Sequence, residues 1–182
     1  MTDERQGDEL WAALRRLPRG SGVVFRHYAT PAAERQALFA RVMRVARARA
    51  LVVVRAGAWC GVGADGVHNG RGVGLRTASA HSWGEAKAAV RRGVDMVFVS
   101  PVFATRSHPG GTVLGVKAAE KIARRLRVPA IALGGMDAAR FRPLRAFYGW
   151  AAIDAWTATV ESPPRQSRVV GPRSRDAGRT SC

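Results

Sequence analysis

Residue types that bind anions are concentrated between Val97 and Gly111, in the sequence VFVSPVFATRSHPGG. The apolar run stops at Pro101, and hydroxyl, guanidinium and imidazole groups then follow within four consecutive residues, Thr105, Arg106, Ser107 and His108. Donors of these kinds suit a phosphate or a diphosphate. Because Pro101 and Pro109 bracket the segment and restrict its backbone, we favour a shaped phosphate-binding loop over a mobile surface loop.

A second candidate anion site is the pair Gly134 and Gly135, which follows the apolar run VPAIAL. Glycines allow backbone N–H groups to approach an anion closely, and Asp137 is expected to cap a helix whose N-terminus also attracts anions. A tight strand-to-helix turn is the alternative explanation of the same two residues.

Further polar side chains lie where predicted strands end. Arg26 and His27 are neighbours, so only one of them can point into a barrel, and Arg26 is the more useful for an anionic ligand. His68 is a candidate for acid–base chemistry near neutral pH. The alternative is a structural role in which its ring only forms hydrogen bonds with neighbouring backbone groups. The strand ends as a group, which include Ser79 and His81, are rich in donors and poor in carboxylates.

The elements that would position these residues alternate along the chain. Seven segments read as strands: GVVFRHYA, ALVVVRA, GADGVH, TASAH, VDMVFVS, VPAIALGG and YGWAAIDAW. Helices are predicted over residues 8–17, from Pro31 to about Arg49, and after the Ser82/Glu85 capping box. Three more are expected around Val116 to Leu126, after Asp137, and after the seventh strand. This alternation predicts a parallel α/β sheet.

The repeat of glycines before strands at Gly63 and Gly93 favours a TIM-type (β/α)8 barrel, with a doubly wound sheet as the alternative. No G-x-G-x-x-G follows the first predicted strand, which weakens a dinucleotide-binding interpretation. Two pieces of the barrel are expected to be missing. There is no room for a strand before the helix of residues 8–17, and none for a crossover helix between His68 and Ser79.

Composition predicts one globular domain, residues 1–160, followed by a disordered basic tail, residues 161–182. The chain has 182 residues and 47% are hydrophobic, with no run long enough to span a membrane. Cys60 and Cys182 give neither a disulfide framework nor metal-ligand spacing, and the polar N-terminus does not resemble a secretion signal, so a cytoplasmic location is expected. The net charge of +17 favours polyanions, but the arginines are not interleaved with aromatic residues, so we favour a solvated basic surface over nucleic-acid binding.

Four segments together resemble the thiamine phosphate synthase and TenI family: GADGVH, the long stretch SAHSWGEAKAAVRRGVDMVFVSPVFATRSH, VPAIALGGM and YGWAAIDA. The resemblance covers about residues 22–155 and implies a (β/α)8 barrel acting in thiamine biosynthesis. Synthases of this family join a pyrimidine diphosphate to a thiazole phosphate with magnesium and release diphosphate. TenI-type members aromatise a thiazole phosphate tautomer and need no metal.

The resemblance carries ligand-binding roles to seven residues: Arg26, Ser79, Thr105, Ser107, His108, Gly134 and Gly135. His108 replaces the lysine of the family's phosphate-binding loop. Asp154 stands where a phosphate-binding serine is usual, and there it would repel phosphate unless it turns aside as a helix cap. No catalytic residue is assigned.

The carboxylates that bind magnesium in the family are missing from this sequence. Val53 and Val54 align with the first such position, and residues 69–79, which include Val73, contain no acid. We therefore expect no cofactor and no metal site, although arginines could in principle stabilise a leaving diphosphate. The sequence leaves open a synthase, a TenI-type tautomerase, and a non-catalytic barrel that binds a phosphorylated ligand, a protein or a nucleic acid.

Overall fold

Seven parallel strands form one sheet in which each strand pairs with the next in chain order. The computed structural model describes residues 1–57, 59, 62–105 and 110–156. The sheet curls into an incomplete barrel, with helices packed on its outer face. This confirms the predicted TIM-type α/β architecture, including its missing parts.

The strands are β1 Gly22–Phe25, β2 Val52–Ala56, β3 Gly66–His68, β4 Leu75–Ala80, β5 Met96–Val99, β6 Ala130–Leu133 and β7 Gly149–Ala151. The α-helices are α1 Glu9–Arg16, α2 Ala32–Ala48, α3 Trp83–Arg91, α4 Gly115–Arg125 and α5 Ala138–Phe141. Two short 3₁₀ helices are Glu4–Gln6 and Asp154–Trp156. Among the described residues no helix is long and apolar enough to cross a bilayer.

The strand boundaries differ from the sequence predictions mainly at β1, which ends at Phe25 instead of continuing to Ala29, and at β7, which ends at Ala151 instead of continuing to Trp156. The β3–β4 link, residues 69–74, contains no helix, as predicted. The described part of the β2–β3 link contains none either, and the sequence predicted none there. The predicted final helix beyond Trp156 and the predicted tail, residues 161–182, lie outside the described residues.

The two edge strands of the barrel are bridged by Met1 and Thr2. The Met1 amino group donates to the Ala152 carbonyl just after β7 (2.8 Å), and the Thr2 N–H donates to the Val24 carbonyl in β1 (2.9 Å). Met1 and Thr2 therefore connect the β1 edge of the sheet to the β7 edge through backbone hydrogen bonds. Below this connection, a groove of about 410 Å³ lies between the edges, lined mainly by apolar side chains such as Leu10 and Trp150.

Two aspartates fix the start of strands in the same way. The Asp65 carboxylate accepts from the Val53 N–H (2.7 Å), and its own N–H donates to the Val53 carbonyl (2.8 Å). Asp95 makes the equivalent pair of bonds with Arg76, both 2.7 Å. In each case a glycine with positive φ, Gly63 or Gly93, lies two residues earlier. The glycine repeat seen in the sequence therefore belongs to a recurring strand-entry turn, and both acids are structural.

Helix α3 begins with a variant of the predicted capping box. The Ser82 hydroxyl accepts from the Glu85 N–H (3.2 Å), as expected of an N-cap serine. The Glu85 carboxylate accepts from the N–H of His81 (2.8 Å), one residue before the cap. The helix start therefore also fixes the backbone at the end of β4, where His81 faces the barrel opening. Pro31 likewise precedes α2 as its N-cap instead of occupying its first turn.

The hydrophobic core lies on both sides of the sheet, because alternate strand residues face opposite ways. The larger clusters lie outside, between sheet and helices, and include Phe25, Phe39 and Val99. A smaller cluster fills the barrel interior: Val24, Val54, Ala56, Phe98 and Ile131. On the outer surface several arginines cover tryptophan rings, as Arg41 does over Trp11, with Cζ 4.4 Å from the ring centroid. Part of the high arginine content is therefore used in packing.

The close pairing of β3 with β4 can be tested at Gly66. A Cβ there would lie 1.9 Å from the Leu75 carbonyl oxygen, so Gly66→Ala must separate the two strands. We expect a loss of about 2 kcal/mol or more in the free energy of unfolding, measured by urea denaturation. Gly22→Ala in β1 is the matched control, since its Cβ would meet nothing within 4 Å. Equal stability of the two variants would contradict the tight β3–β4 packing.

Candidate functional site

A cavity of about 800 Å³ opens at the carboxyl ends of the strands. Side chains along a strand alternate between the two faces of the sheet. The residues two positions after the interior residues of β1, β4 and β5 therefore also face inward and form part of the cavity wall. Polar residues at or just after the strand ends line the cavity, among them Arg26, His68, Ser79, His81 and Ser100. The opposite wall is formed by residues 133–137 after β6 and residues 152–155 after β7.

Gly134 and Gly135 lie against the loop of residues 101–105. The Val102 N–H donates to the Leu133 carbonyl (2.8 Å), and the Phe103 N–H donates to the Gly134 carbonyl (3.1 Å). Both glycines have positive φ, and a Cβ would lie 2.7 Å from Pro101 at the first and 2.4 Å from the Ala104 oxygen at the second. Only glycine fits this contact. It brings the two predicted anion-binding segments together, with Thr105 lining the same cavity.

The expected helix after the glycine pair is much shorter than an anion site on a helix N-terminus would need. Helix α5 spans only Ala138–Phe141, and the Asp137 carboxylate caps it by accepting from the Arg140 N–H (2.8 Å). A single turn has a small dipole, and this cap already places a negative charge there. The contribution expected from a helix dipole is therefore not supported, although the predicted cap at Asp137 is confirmed.

Arg140 is a cavity residue that sequence reasoning missed. Its Nη1 donates to the Gly135 carbonyl, its Cζ lies 5.0 Å from the Phe103 ring centroid, and its Nε lies 3.7 Å from the Asp137 carboxylate. The sequence feature that could have indicated it is the pair Asp137 and Arg140, which follows the glycines closely. Residues three apart lie on the same side of a helix.

His68 is almost fully buried, with 2% of its surface exposed, and both ring nitrogens are hydrogen-bonded. Nδ1 lies 2.9 Å from the Thr77 hydroxyl and Nε2 lies 3.1 Å from the Ser79 hydroxyl. Burial, followed by the nearby Arg26 charge, lowers the pKa of His68 to about 4. The imidazole is therefore neutral at pH 7 and serves to hold Thr77 and Ser79, which argues against the acid–base role considered from the sequence.

His81 lies at the rim of the cavity with a defined tautomer. Its Nδ1 lies 2.8 Å from the Ser100 carbonyl oxygen, which can only accept, so Nδ1 carries the proton. In the neutral ring Nε2 is consequently an acceptor. The Ser100 hydroxyl lies 3.3 Å from the same Nδ1. His81 is thus held by the end of β5 as a candidate proton acceptor at the cavity.

Arg26 and His27 point in different directions, as predicted for neighbours at the end of a strand. Arg26 lines the cavity, with its Cζ 5.8 Å from the Tyr28 ring centroid and Nη1 3.9 Å from the Met1 sulfur. His27 is buried, stacks on Phe25 at 4.6 Å between ring centroids, and has a pKa lowered by burial. Arg26 is therefore the member of the pair that can meet a ligand.

The residues at the ends of β2 and β3 do not fit the magnesium ion that the family resemblance implies. Val53 and Val54 lie inside β2, and the residue opposite His68 at the strand end is Ala56. After β3, the Asn69 side-chain oxygen accepts from the Ser79 N–H (2.8 Å). Mg²⁺ requires oxygen ligands, usually with one or two carboxylates. Among the described residues at the ends of β2 and β3 no carboxylate lines the cavity, and within the same described part of the chain no three His, Cys, Asp or Glu side chains could hold a metal together.

The carboxylates of the cavity belong instead to Asp137 and Asp154, at the ends of β6 and β7. Of the seven predicted ligand-binding residues, five line the cavity: Arg26, Ser79, Thr105, Gly134 and Gly135. Ser107 and His108 lie outside the described residues.

The lowered pKa of His68 predicts a loss of stability in acid. The unfolded chain binds a proton at His68 with a pKa near 6.5, while the folded chain does so only near 4. The free energy of unfolding should therefore fall as the pH drops from about 6.5 to 4, by roughly 3 kcal/mol from this group. Urea denaturation across this range should show a shallower pH slope for His68→Gln than for the control His81→Gln. Identical pH slopes of the unfolding free energy in the two variants would contradict a lowered pKa at His68.

Comparison with known proteins agrees with the fold and identifies the family. Residues 2–155 match the family model described as thiamine monophosphate synthase. A thiamine-phosphate synthase of Chloroflexus aurantiacus is 35% identical over 91 residues, 43% of this chain and 42% of that protein. A protein of Aquifex aeolicus, provisionally named thiamine-phosphate synthase 2, is 40% identical over 58 residues, 32% of this chain and 31% of its own. These matches therefore span less than half of either relative.

Among solved structures, the thiamine phosphate pyrophosphorylase of Pyrococcus furiosus superposes with a TM-score of 0.72 at 22% identity, covering 86% of this chain and 85% of that one. At this identity the likeness concerns the fold. The family model, in contrast, extends over most of the chain and includes the described strand ends that build the cavity. The chain belongs to the thiamine monophosphate synthase family.

Proposed function

We propose that this protein binds a thiazole phosphate in the 800 Å³ cavity, with the phosphate group at Gly134, Gly135 and Thr105, and that binding needs no magnesium. The observation that carries the proposal is the packing of the glycine pair against residues 101–105 at the cavity wall. It unites two segments that the sequence offered separately as anion sites. The cavity also exceeds about 300 Å³, the lower end of the usual range for small-molecule sites.

The other wall of the cavity suits the uncharged part of such a ligand. His68 is neutral and its Nε2 orients the Ser79 hydroxyl, which lines the cavity as a hydrogen-bonding group. Phe98 supports the buried His68 ring from behind, with the two ring centroids 5.3 Å apart, and Met1, Leu133 and Ile153 supply apolar surface at the cavity itself. A heteroaromatic ring can lie there between apolar surface and hydroxyl groups, while the phosphate remains at the β6 end.

The synthase reaction, in which a pyrimidine group is transferred to the thiazole phosphate and diphosphate is released, has less support than ligand binding. Such a reaction develops negative charge on the leaving group, which a metal ion or several fixed cations must stabilise. No described residue at the β2–β3 end of the cavity supplies a carboxylate to hold a metal. Asp154 adds a negative group after β7.

A second candidate function is aromatisation of a thiazole phosphate tautomer, which requires proton transfer only. The observation that favours it is the orientation of His81, whose Nδ1–H is directed to the Ser100 carbonyl so that Nε2 can accept a proton. The imidazole would take a proton from the ring carbon, and a proton from the resulting imidazolium or from solvent would be added to a second carbon of the ligand, so that the product is an isomer of the substrate. Binding of thiazole phosphate is common to both candidates.

Isothermal titration calorimetry at low salt tests the proposed ligand. We expect thiazole phosphate to bind with a micromolar dissociation constant, and the corresponding thiazole alcohol to bind at least tenfold more weakly, because it lacks the phosphate contacts. Binding should be lost in Gly135→Ala, whose Cβ would displace residues 103–104. Gly20→Ala, whose Cβ would meet nothing within 4 Å, is the positive-φ control. Absence of binding to the wild-type protein would remove both enzyme interpretations.

Magnesium dependence is tested in the same titration and in a turnover assay. The affinity for thiazole phosphate should be unchanged between excess EDTA and millimolar MgCl₂, since the β2–β3 end offers no carboxylate ligand. Any conversion of the thiazole tautomer should also continue in EDTA and decline in His81→Gln. Complete loss of turnover in EDTA, with recovery on adding magnesium, would contradict the metal-free proposal.

A further inference from the structure

We propose that Arg140 is the cation that binds the phosphate group at the Gly134–Gly135 cradle and so selects phosphorylated ligands. The inference rests on the proposed phosphate-binding function and assigns the charged residue within it. The five residues predicted from the sequence that line the cavity include one cation, Arg26, and it lies after β1. The phosphate cradle lies after β6, on a different part of the wall.

The position of the Arg140 guanidinium supports this role. Nη1 donates to the Gly135 carbonyl, and a Cβ at Gly135 would lie 3.2 Å from the same nitrogen. The group therefore lies directly beside the glycine, at the edge of the cavity. The Phe103 ring, 5.0 Å from Cζ, covers one side of the guanidinium plane and fixes its orientation. Phe103 is itself bonded to Gly134 through its N–H (3.1 Å).

The charge of Arg140 remains available to a ligand. Its described ion pair is with Asp137, at 3.7 Å, and the two side chains are 50% and 48% exposed, so the pair is weak and solvent-screened. A guanidinium has five N–H donors in a planar fork. Nε faces Asp137 and one Nη1 hydrogen faces Gly135, while no partner for Nη2 is found among the described residues. The remaining donors can form the charge-assisted bonds that phosphate favours.

The Asp137 carboxylate lies on one side of the Arg140 guanidinium and so indicates which of its donors face the cavity. It accepts from the Arg140 N–H (2.8 Å) at the start of α5, and Nε, 3.7 Å from it, lies on the helix side of the guanidinium. The Nη groups are then left on the side of Gly135 and the cavity. An uncharged ligand gains little from this arrangement, whereas a phosphate gains both charge and hydrogen bonds.

Calorimetric titration of four proteins tests the proposal: wild type, Arg140→Gln, Arg140→Lys and the control Arg142→Gln. Arg142 is an exposed arginine two residues away that does not line the cavity, so its replacement changes net charge equally. Thiazole phosphate, the thiazole alcohol and inorganic phosphate are the probes. Thermal melts first check that all variants are folded, which the surface position of Arg140 favours.

We expect Arg140→Gln to weaken thiazole phosphate and inorganic phosphate binding by roughly tenfold to a hundredfold, since charged hydrogen bonds are lost. Arg140→Lys should recover part of this loss, and affinity for the alcohol should not change. Arg142→Gln should bind all probes like the wild type.

Two results would overturn the role of Arg140. Equal weakening in Arg140→Gln and Arg142→Gln would mean that only net charge matters, and the proposed function would stand. Absence of binding of both phosphate probes to the wild type would remove the proposed function as well. If inorganic phosphate binds and depends on Arg140 while thiazole phosphate does not bind, the role of Arg140 is supported and the proposed ligand is wrong.

Discussion

The register between β3 and β4 is the constraint on which the site depends. Gly66 lies directly against the Leu75 backbone, and two residues later this pairing places His68 beside Thr77. The buried imidazole can then bridge the hydroxyls of Thr77 and Ser79, and neutrality follows from the burial. A shift of one residue would turn these side chains to the helix-covered face. No helix separates the two strands, so the short link of residues 69–74 and the glycine contact maintain the register between them.

The cavity combines two walls of different physical character. The β3–β4 wall is neutral and rigid, because its polar groups bond to one another inside the barrel. The wall after β6 is charged, with the half-exposed Arg140 guanidinium and Asp137 carboxylate beside the two glycines. A ligand with an aromatic ring and a phosphate matches this division better than a ligand that is charged throughout. The proposed function follows from the pairing of the two walls.

Most of the architecture could be predicted from the sequence, because strand residues alternate, glycines mark turns and parallel strands must be joined by crossovers. Predicted helices and strands were found close to their expected positions, and the absence of a helix between His68 and Ser79 was anticipated from chain length alone. The end of β1 was misplaced, since residues 26–28 have strand-like composition but follow the strand as polar cavity or core residues. The strand propensity of these residues does not indicate where the pairing of β1 with its neighbour stops.

The site was predictable where a residue type has one main use, as at Gly134 and Gly135, and less so where function depends on tertiary contacts. Nothing in the sequence indicates that the partners of His68 are Thr77 and Ser79, or that Arg140 folds back onto Gly135 and Phe103. The aligned valines of β2 show the same limit. They fall inside the strand, and the structure alone identifies Ala56 as the residue level with His68.

The distribution of the core has a consequence for how such a chain can change over time. The larger apolar clusters lie between sheet and helices, whereas the interior beneath the cavity is a small cluster around Phe98 and Ile131. Folding free energy therefore comes mainly from surfaces that no ligand touches. Apart from tight contacts such as those of Gly134 and Gly135, substitutions at the barrel mouth therefore cost the scaffold little stability, and such a chain can acquire new ligands or lose chemistry while its architecture persists.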